Sequence, residues 1–231
     1  MPCKMITDNA VVGFECLHAI KRKKRNEGLM AIKLDMSKDY DKVEWGFVEC
    51  MMRKLGFSEN WVERVMRCVT SISYSFVISG EVCRKVKPTR GLRQGDPRLP
   101  YLFLICDEGL SSLIINSHAR GLISGFKCSR FRPSITHLFF ENDSMLFSRA
   151  TTSDCEATKN MLDVYKKASG QIVSISKFAL CVSPYVGHGE SVRLAGILGI
   201  QVVACHERYL GWSCYVGRKK KELFVDIVNR V

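Results

Sequence analysis

Asp35 stands at the end of the apolar run Leu29-Met30-Ala31-Ile32-Lys33-Leu34 and is followed by Asp39 and Asp41. A carboxylate at the end of a buried strand is rigidly placed, and such carboxylates hold Mg²⁺ ions that activate a hydroxyl nucleophile and neutralise a leaving pyrophosphate. A second polar group, Glu141-Asn142-Asp143, lies between the apolar segments Ile135 to Phe140 and Ser144 to Ser148. It would put an acid beside Asp35 if the two strands are neighbours in one sheet. A third group, Arg90-Gly91-Leu92-Arg93-Gln94-Gly95-Asp96-Pro97, joins glycines that let backbone approach a ligand to two arginines able to hold phosphates. Taken singly, the first group also reads as a hydrated turn, the second as hairpin-turn residues and the third as a surface loop. The basic runs Lys21 to Arg25 and Arg218 to Lys221 suit a phosphate backbone, and equally a solvated helix face.

The elements that must position these groups follow from pattern. Thr7 or Asp8 can cap a helix whose stripe is Val11, Val12, Phe14, Leu17 and Ile20, and whose basic end suits a helix C-terminus. The strand ending at Asp35 comes next, then helices over about Trp45 to Leu55 and Asn60 to Ser71. Tyr74 to Ile78 and Val82 to Val86 predict a hairpin with a three-residue loop, Ser79-Gly80-Glu81. A helix over about Tyr101 to Ser117 precedes the second hairpin, whose tip is Glu141-Asn142-Asp143. Ser153 with Glu156 fits a capping box for a helix running to Ala168, stopped by Gly170. Gln171 to Val182 resumes strand character, Ser191 to Leu198 is a short helix, and Tyr209-Leu210-Gly211 a strand or turn. This order favours an α+β domain with an antiparallel sheet.

Composition sets the wider frame. The chain has 231 residues, 46% of them hydrophobic, which is enough to build a sizeable core and excludes wholesale disorder. Its 35 Lys and Arg against 23 Asp and Glu leave a net charge of +12, which favours polyanionic partners. The longest charge-free apolar stretches, Leu194 to Cys205 and Leu99 to Cys106, fall short of the about 18 residues a membrane span needs, so no membrane partner is expected. The first residues lack the pattern of a secretory signal, and an intracellular location is expected. Eleven cysteines without a C-x-x-C read as reduced thiols, mostly core filler.

Taken together and in order, the motifs resemble the reverse transcriptase domain of plant non-LTR (LINE-type) retrotransposons. Ile6-Thr7-Asp8-Asn9 with Phe14-Glu15 and His18 is similar to the segment before the palm, and Ala31 through Val43 to motif A. Gly91-Leu92-Arg93-Gln94-Gly95-Asp96-Pro97 with Pro100-Tyr101-Leu102-Phe103 is similar to motif B, and His137 through Phe147 to motif C. Ala168-Ser169-Gly170-Gln171 through Ser176-Lys177 resembles motif D, and Tyr209-Leu210-Gly211 motif E.

The resemblance implies an RNA-directed DNA polymerase with Mg²⁺, or Mn²⁺, as cofactor, and RNA template, DNA primer and dNTPs as partners. It makes Asp35 and Asp143 metal-binding carboxylates, Tyr40 the aromatic under the incoming sugar, and Gln94 and Gly95 the wall of the nucleotide pocket. Lys177 would donate a proton to pyrophosphate, while Arg90, Arg93, Lys219 and Lys220 would meet nucleic acid. The implied fold is a right-hand polymerase palm with a ferredoxin-like antiparallel sheet and flanking helices, its fingers and thumb incomplete. Residues 1–28 and about 44–90 would be finger and palm elements, 29–43 and 91–185 the palm core, and 186–231 the palm end and start of the thumb.

Departures from the family pattern carry their own expectations. The family's motif C is aromatic-Ala-Asp-Asp, whereas this chain reads Phe140-Glu141-Asn142-Asp143. Asn142 is neutral where the family has its principal metal ligand, so metal binding and polymerase activity are expected to be weak or lost. Arg98-Leu99 replaces Leu-Ser in motif B, Ser174-Ile175 replaces Asn-Phe in motif D and Trp212-Ser213 replaces Leu-Pro in motif E. With most of the fingers expected to precede the chain, the reading frame looks like that of a decayed element, and a basic, non-catalytic nucleic-acid-binding remnant is the alternative.

Overall fold

The computed structural model describes residues 6–22, 28–35, 39–93, 95–127, 133–140, 143–171, 178–203, 208–209 and 212–213. In chain order the elements are α1 (Ile6–Arg22), β1 (Leu29–Asp35), a 3-10 turn (Asp39–Lys42), α2 (Trp45–Lys54), α3 (Glu59–Thr70), β2 (Tyr74–Ile78), β3 (Glu81–Val86), α4 (Leu99–Ala119), β4 (His137–Phe140), β5 (Asp143–Arg149), α5 (Thr152–Ser169), β6 (Ala179–Val182), α6 (His188–Leu198), β7 (Gln201–Val202), β8 (Arg208–Tyr209) and β9 (Trp212–Ser213). They divide into two compact units, one of Met1–Ser37, Ile114–Met161 and Val173–Val231, the other of Lys38–Leu113 and Leu162–Ile172.

The first unit is organised by a five-stranded sheet of order β4-β5-β1-β6-β7. Met30, Ala31, Ile32 and Leu34 of β1 are all buried, the pattern of a strand covered on both faces. On one face Cys16, Leu17 and Ile20 of α1 pack with Ala31, Phe126, Met145 and Phe147. On the other, Cys155 of α5 brings its Sγ within 3.6 Å of Met30 Sδ. Each fully buried Leu, Ile or Phe here contributes about 1.5–3 kcal/mol.

The structure departs from the expected pattern at three places. The sheet is mixed and not purely antiparallel: β6 and β7 run parallel, because α6 forms a crossover between them. The buried positions of α1 are Ala10, Gly13, Cys16, Leu17 and Ile20, and Val11 points outward. The capping box of α5 is Thr151 with Asp154, not Ser153 with Glu156: Asp154 N–H donates to Thr151 Oγ1 at 3.2 Å, and Thr151 donates to Asp154 Oδ1 at 2.8 Å. Asp154 is also buried and accepts from Ser124 N–H at 2.8 Å and Ser148 Oγ–H at 2.7 Å, whereas Glu156, two residues later, is exposed.

The second unit is built around Val43, Val48, Met52, Val62, Val69, Leu92, Leu99, Leu102 and Cys106. Its β2–β3 hairpin closes with two residues, not three, since Ile78 pairs with Glu81. Ser79 (φ 54°) and Gly80 (φ 85°) both take left-handed conformations, as a two-residue type I′ turn demands. By length and composition α4 is long and apolar enough to cross a membrane, although Asp107 and Glu108 interrupt its charge-free run. Leu99, Leu102 and Cys106 on its inward side belong to this core. Among the described cysteines, Cys16, Cys106, Cys155 and Cys181 are buried free thiols, as expected of core filler, while Cys50 and Cys68 are exposed.

Candidate functional site

In the first unit, β1 and β5 are neighbours whose antiparallel register runs from Leu29↔Arg149 to Asp35↔Asp143. Register partners of such a ladder lie about 4.5–5.5 Å apart at Cα. The two acidic positions therefore face each other at the last rung. Met145, Leu146 and Phe147 are all buried, so β5, like β1, is covered on both faces. Asp143 also pairs with Phe140 of β4, so it is the first residue of β5 and not a loop-tip residue. β6 pairs with Met30 to Lys33 only, which leaves the end of β1 without a strand on that side among the described residues. Oxygen donors at two adjacent strand ends are the donor chemistry a hard divalent cation takes.

In the second unit the segment after the strand is a junction of three distant stretches. Leu92 N–H donates to Tyr40 O at 2.7 Å, Gly91 N–H to Val43 O at 2.8 Å, and Glu44 N–H to Ser169 O at 2.9 Å. Trp45 Nε1–H closes the ring of contacts on Gly91 O at 2.7 Å. Two glycines make the close approach possible. A Cβ on Gly91 (φ +91°) would lie 2.5 Å from the Asp41 carbonyl oxygen, and one on Gly170 (φ +72°) would lie 2.4 Å from that of Lys42. Only residues without Cβ fit there. Tyr40 is half-buried in this junction, its ring edge-on to Phe103 at 5.2 Å.

Below the junction, Tyr165 is fully buried, donates to Gln171 Oε1 at 2.6 Å, and has the Cys106 carbonyl oxygen 3.1 Å away as a second acceptor. Phe47 meets its ring edge-on at 5.8 Å. Burial pushes the Cys106 thiol up to about 12 and, with the adjacent Glu108, the Asp107 carboxyl up to about 7.

The other sequence candidates are distributed as follows. Gly95 is exposed at φ +87° with open space around it. Arg93 is exposed, and Arg90 is exposed with Glu44 at 3.5 Å. Asp96 takes a fork of hydrogen bonds from Arg98, Nε to Oδ1 at 2.9 Å and Nη2 to Oδ2 at 2.6 Å, with the Arg98 N–H also on Oδ1. Those bonds hold the Asp96 carboxyl down at about 2. Asn142, Gln94, Lys177, Lys219 and Lys220 lie outside the described residues. So do the basic runs at Lys23 to Arg25 and Arg218 to Lys221.

Sequence reasoning missed Trp45, Gly170 as a contact residue, and Asp154. Trp45 sits directly after the acid-rich turn, where an indole N–H needs an acceptor when partly buried, and that requirement was the available signal. Nothing local marks the partner as Gly91.

Three findings from known proteins bear on this geometry. Residues 2–213 match the family model described as reverse transcriptase (RNA-dependent DNA polymerase). An uncharacterized mitochondrial protein of Arabidopsis thaliana is 45% identical over 69 residues, 30% of this chain and 57% of that protein. A retrovirus-related Pol polyprotein from the type-1 retrotransposable element R2 of Popillia japonica is 29% identical over 98 residues, 42% of this chain and 16% of the polyprotein. The matches thus span just over half of one relative and a small part of the other.

Proposed function

The chain belongs to the reverse transcriptase (RNA-dependent DNA polymerase) family, and from that premise we propose that it is the polymerase domain of a LINE-type, non-LTR retroelement, with its catalytic centre damaged. The observation that carries this reading is the pairing of Asp35 with Asp143 at the last rung of the β1–β5 ladder. The similarity to a Pol polyprotein of element R2 supports the element type. In this reading Asp35 and Asp143 hold divalent cation, Mg²⁺ or Mn²⁺, and Tyr40 lies under the sugar of the incoming nucleotide. Gln94 and Gly95 border the nucleotide, Lys177 gives a proton to pyrophosphate, and Arg90, Arg93, Lys219 and Lys220 take phosphates of template and primer. When bound, the cations supply activation of the primer hydroxyl and neutralisation of the leaving group.

Asn142 is the damage. An amide brings one neutral carbonyl where a second charged carboxylate would balance two dications, so cation affinity falls steeply. Primer extension on an RNA template tests the reading. The natural chain is expected to extend at background level and Asn142→Asp to extend above it with Mg²⁺. Robust Mg²⁺-dependent extension by the natural chain would refute the loss of activity.

A second reading has its own support in the net charge of +12 and the exposed Arg90 and Arg93: a silent domain that retains nucleic-acid binding. Filter binding against salt tests it: phosphate contacts weaken steeply as salt rises, and absent or salt-insensitive binding refutes it.

A further inference from the structure

Lys33, we propose, is a positioning residue of the acidic rung: its ammonium is a resident positive charge beside the Asp35–Asp143 pair, which holds the two acids together without metal and opposes a divalent cation there. This rests on the proposed function and adds to it what sets the cation affinity. The apolar positions of β1, Leu29, Met30, Ala31, Ile32 and Leu34, are at most 3% exposed, and Lys33, half-buried, is the strand's one cation. A charge carried into so apolar a strand is costly unless opposite charge is at hand.

The register says which charge that is. Side chains two residues apart in a strand share a face, and so do register partners across a ladder. The pairs Asp35↔Asp143, Lys33↔Met145 and Lys33↔Ala179 therefore put Lys33, Asp35 and Asp143 on one face of the sheet. Lys33 stands two residues, about 6.6 Å, before the acids. Ala31, two residues back on that face, packs with Cys16, Leu17 and Ile20 of α1, so no polar group awaits an ammonium in that direction. To the sides stand fully buried Met145 and the small Ala179. Forward, β6 pairs with nothing beyond Lys33 among the described residues, and a flexible four-carbon stem spans the step to the acids. Lysines bury such a stem along apolar surface and carry the charge to its polar end. With the ammonium in place the rung offers a dication one net negative charge, where the acids alone would offer two. At about 7 Å a unit charge opposes a dication by about sevenfold in affinity even at the dielectric of water.

The test uses the full chain and Mn²⁺ alone, titrated at low ionic strength and followed by the electron paramagnetic resonance of the free ion. Lys33→Met, neutral and of similar length, is expected to tighten Mn²⁺ binding by about sevenfold or more, and Lys33→Arg to stay within about twofold of the natural chain. Asp35→Asn abolishes binding in either background. Urea unfolding in the presence of a chelator gives a second readout, which a packing role would not move. There Lys33→Met lowers the midpoint of the natural chain more than that of Asp35→Asn, where only one acid loses its counter-charge, and Mn²⁺ restores the difference. Lys33→Gln repeats both measurements with a polar neutral side chain. Mn²⁺ affinity of the neutral variants within twofold of the natural chain, or below it, overturns the role of Lys33, and the functional reading stands as long as Asp35→Asn still abolishes binding. If neither the natural chain nor Lys33→Met binds Mn²⁺, or Asp35→Asn binds as well as its parent, the cation site of the functional reading fails with it. If both neutral variants lose their circular dichroism and Mn²⁺ does not restore it, Lys33 is a packing residue and the proposal falls.

Discussion

Gly91→Ala is expected to destabilise the second unit strongly. Three terms add. An L-residue at φ +91° costs about 1–2 kcal/mol in backbone conformation. The new Cβ would stand 2.5 Å from the Asp41 carbonyl oxygen, a backbone atom that cannot rotate away. Relieving that overlap pulls apart Gly91 N–H to Val43 O (2.8 Å) and Trp45 Nε1–H to Gly91 O (2.7 Å). At about 1 kcal/mol for each hydrogen bond, the total is about 3–4 kcal/mol. Gly95→Ala is the control: its φ is +87° and a Cβ there meets nothing within 4 Å, so only the conformational term applies. Urea unfolding followed by tryptophan fluorescence measures both, and with a slope of about 2 kcal/mol/M the Gly91 variant should unfold about 1 M below the Gly95 variant. Equal midpoints for the two alanines would refute the steric reasoning and reduce both sites to their backbone angle.

The remaining predictions address charge, caps and turns. Asp107, held up to about 7, keeps a proton in the folded chain that the unfolded chain, at 3.8, has released. Stability is therefore expected to fall as pH rises from about 4 through 7, by up to about 4 kcal/mol, and Asp107→Asn should flatten urea midpoints compared at pH 5 and pH 8. Asp154→Ala removes the side-chain half of the α5 capping box and the acceptor of the Ser124 N–H, and leaves the Ser148 hydroxyl only the Arg149 carbonyl oxygen at 3.2 Å, with an expected loss of about 2 kcal/mol in chemical denaturation and a smaller loss for Asp154→Asn. Ser79→Asn suits the left-handed turn better and should stabilise the hairpin by about 0.5–1 kcal/mol, read as slower amide exchange in β2 and β3.

Elements with strong periodicity were legible in the sequence. β1 ends at Asp35 because an apolar run meets an acid-rich turn, and α2 and α3 begin within a residue or two of their expected starts. The adjacency of β1 and β5 followed from treating both as buried strands of one sheet. What stayed hidden was non-local. The parallel step from β6 to β7 depends on a two-residue strand, too short to leave a pattern. The α5 box was read two residues late because Thr151, Thr152 and Ser153 are interchangeable as caps, and only Ser148 and Ser124 decide among them. Arg98 looked like a plain departure from the family, yet it is matched to the neighbouring Asp96, so its charge is spent locally.

The junction around Val43 and Glu44 bears on how the protein is made. One of its hydrogen-bond partners, Ser169, leaves the ribosome long after the turn it fastens, and after most of the five-stranded sheet's central strands have been translated. The second unit thus waits for its last eleven residues, Leu162–Ile172, and a chain stalled before them leaves the space for Tyr165 open beside Phe47. Nascent chains arrested on either side of that stretch should differ sharply in resistance to protease.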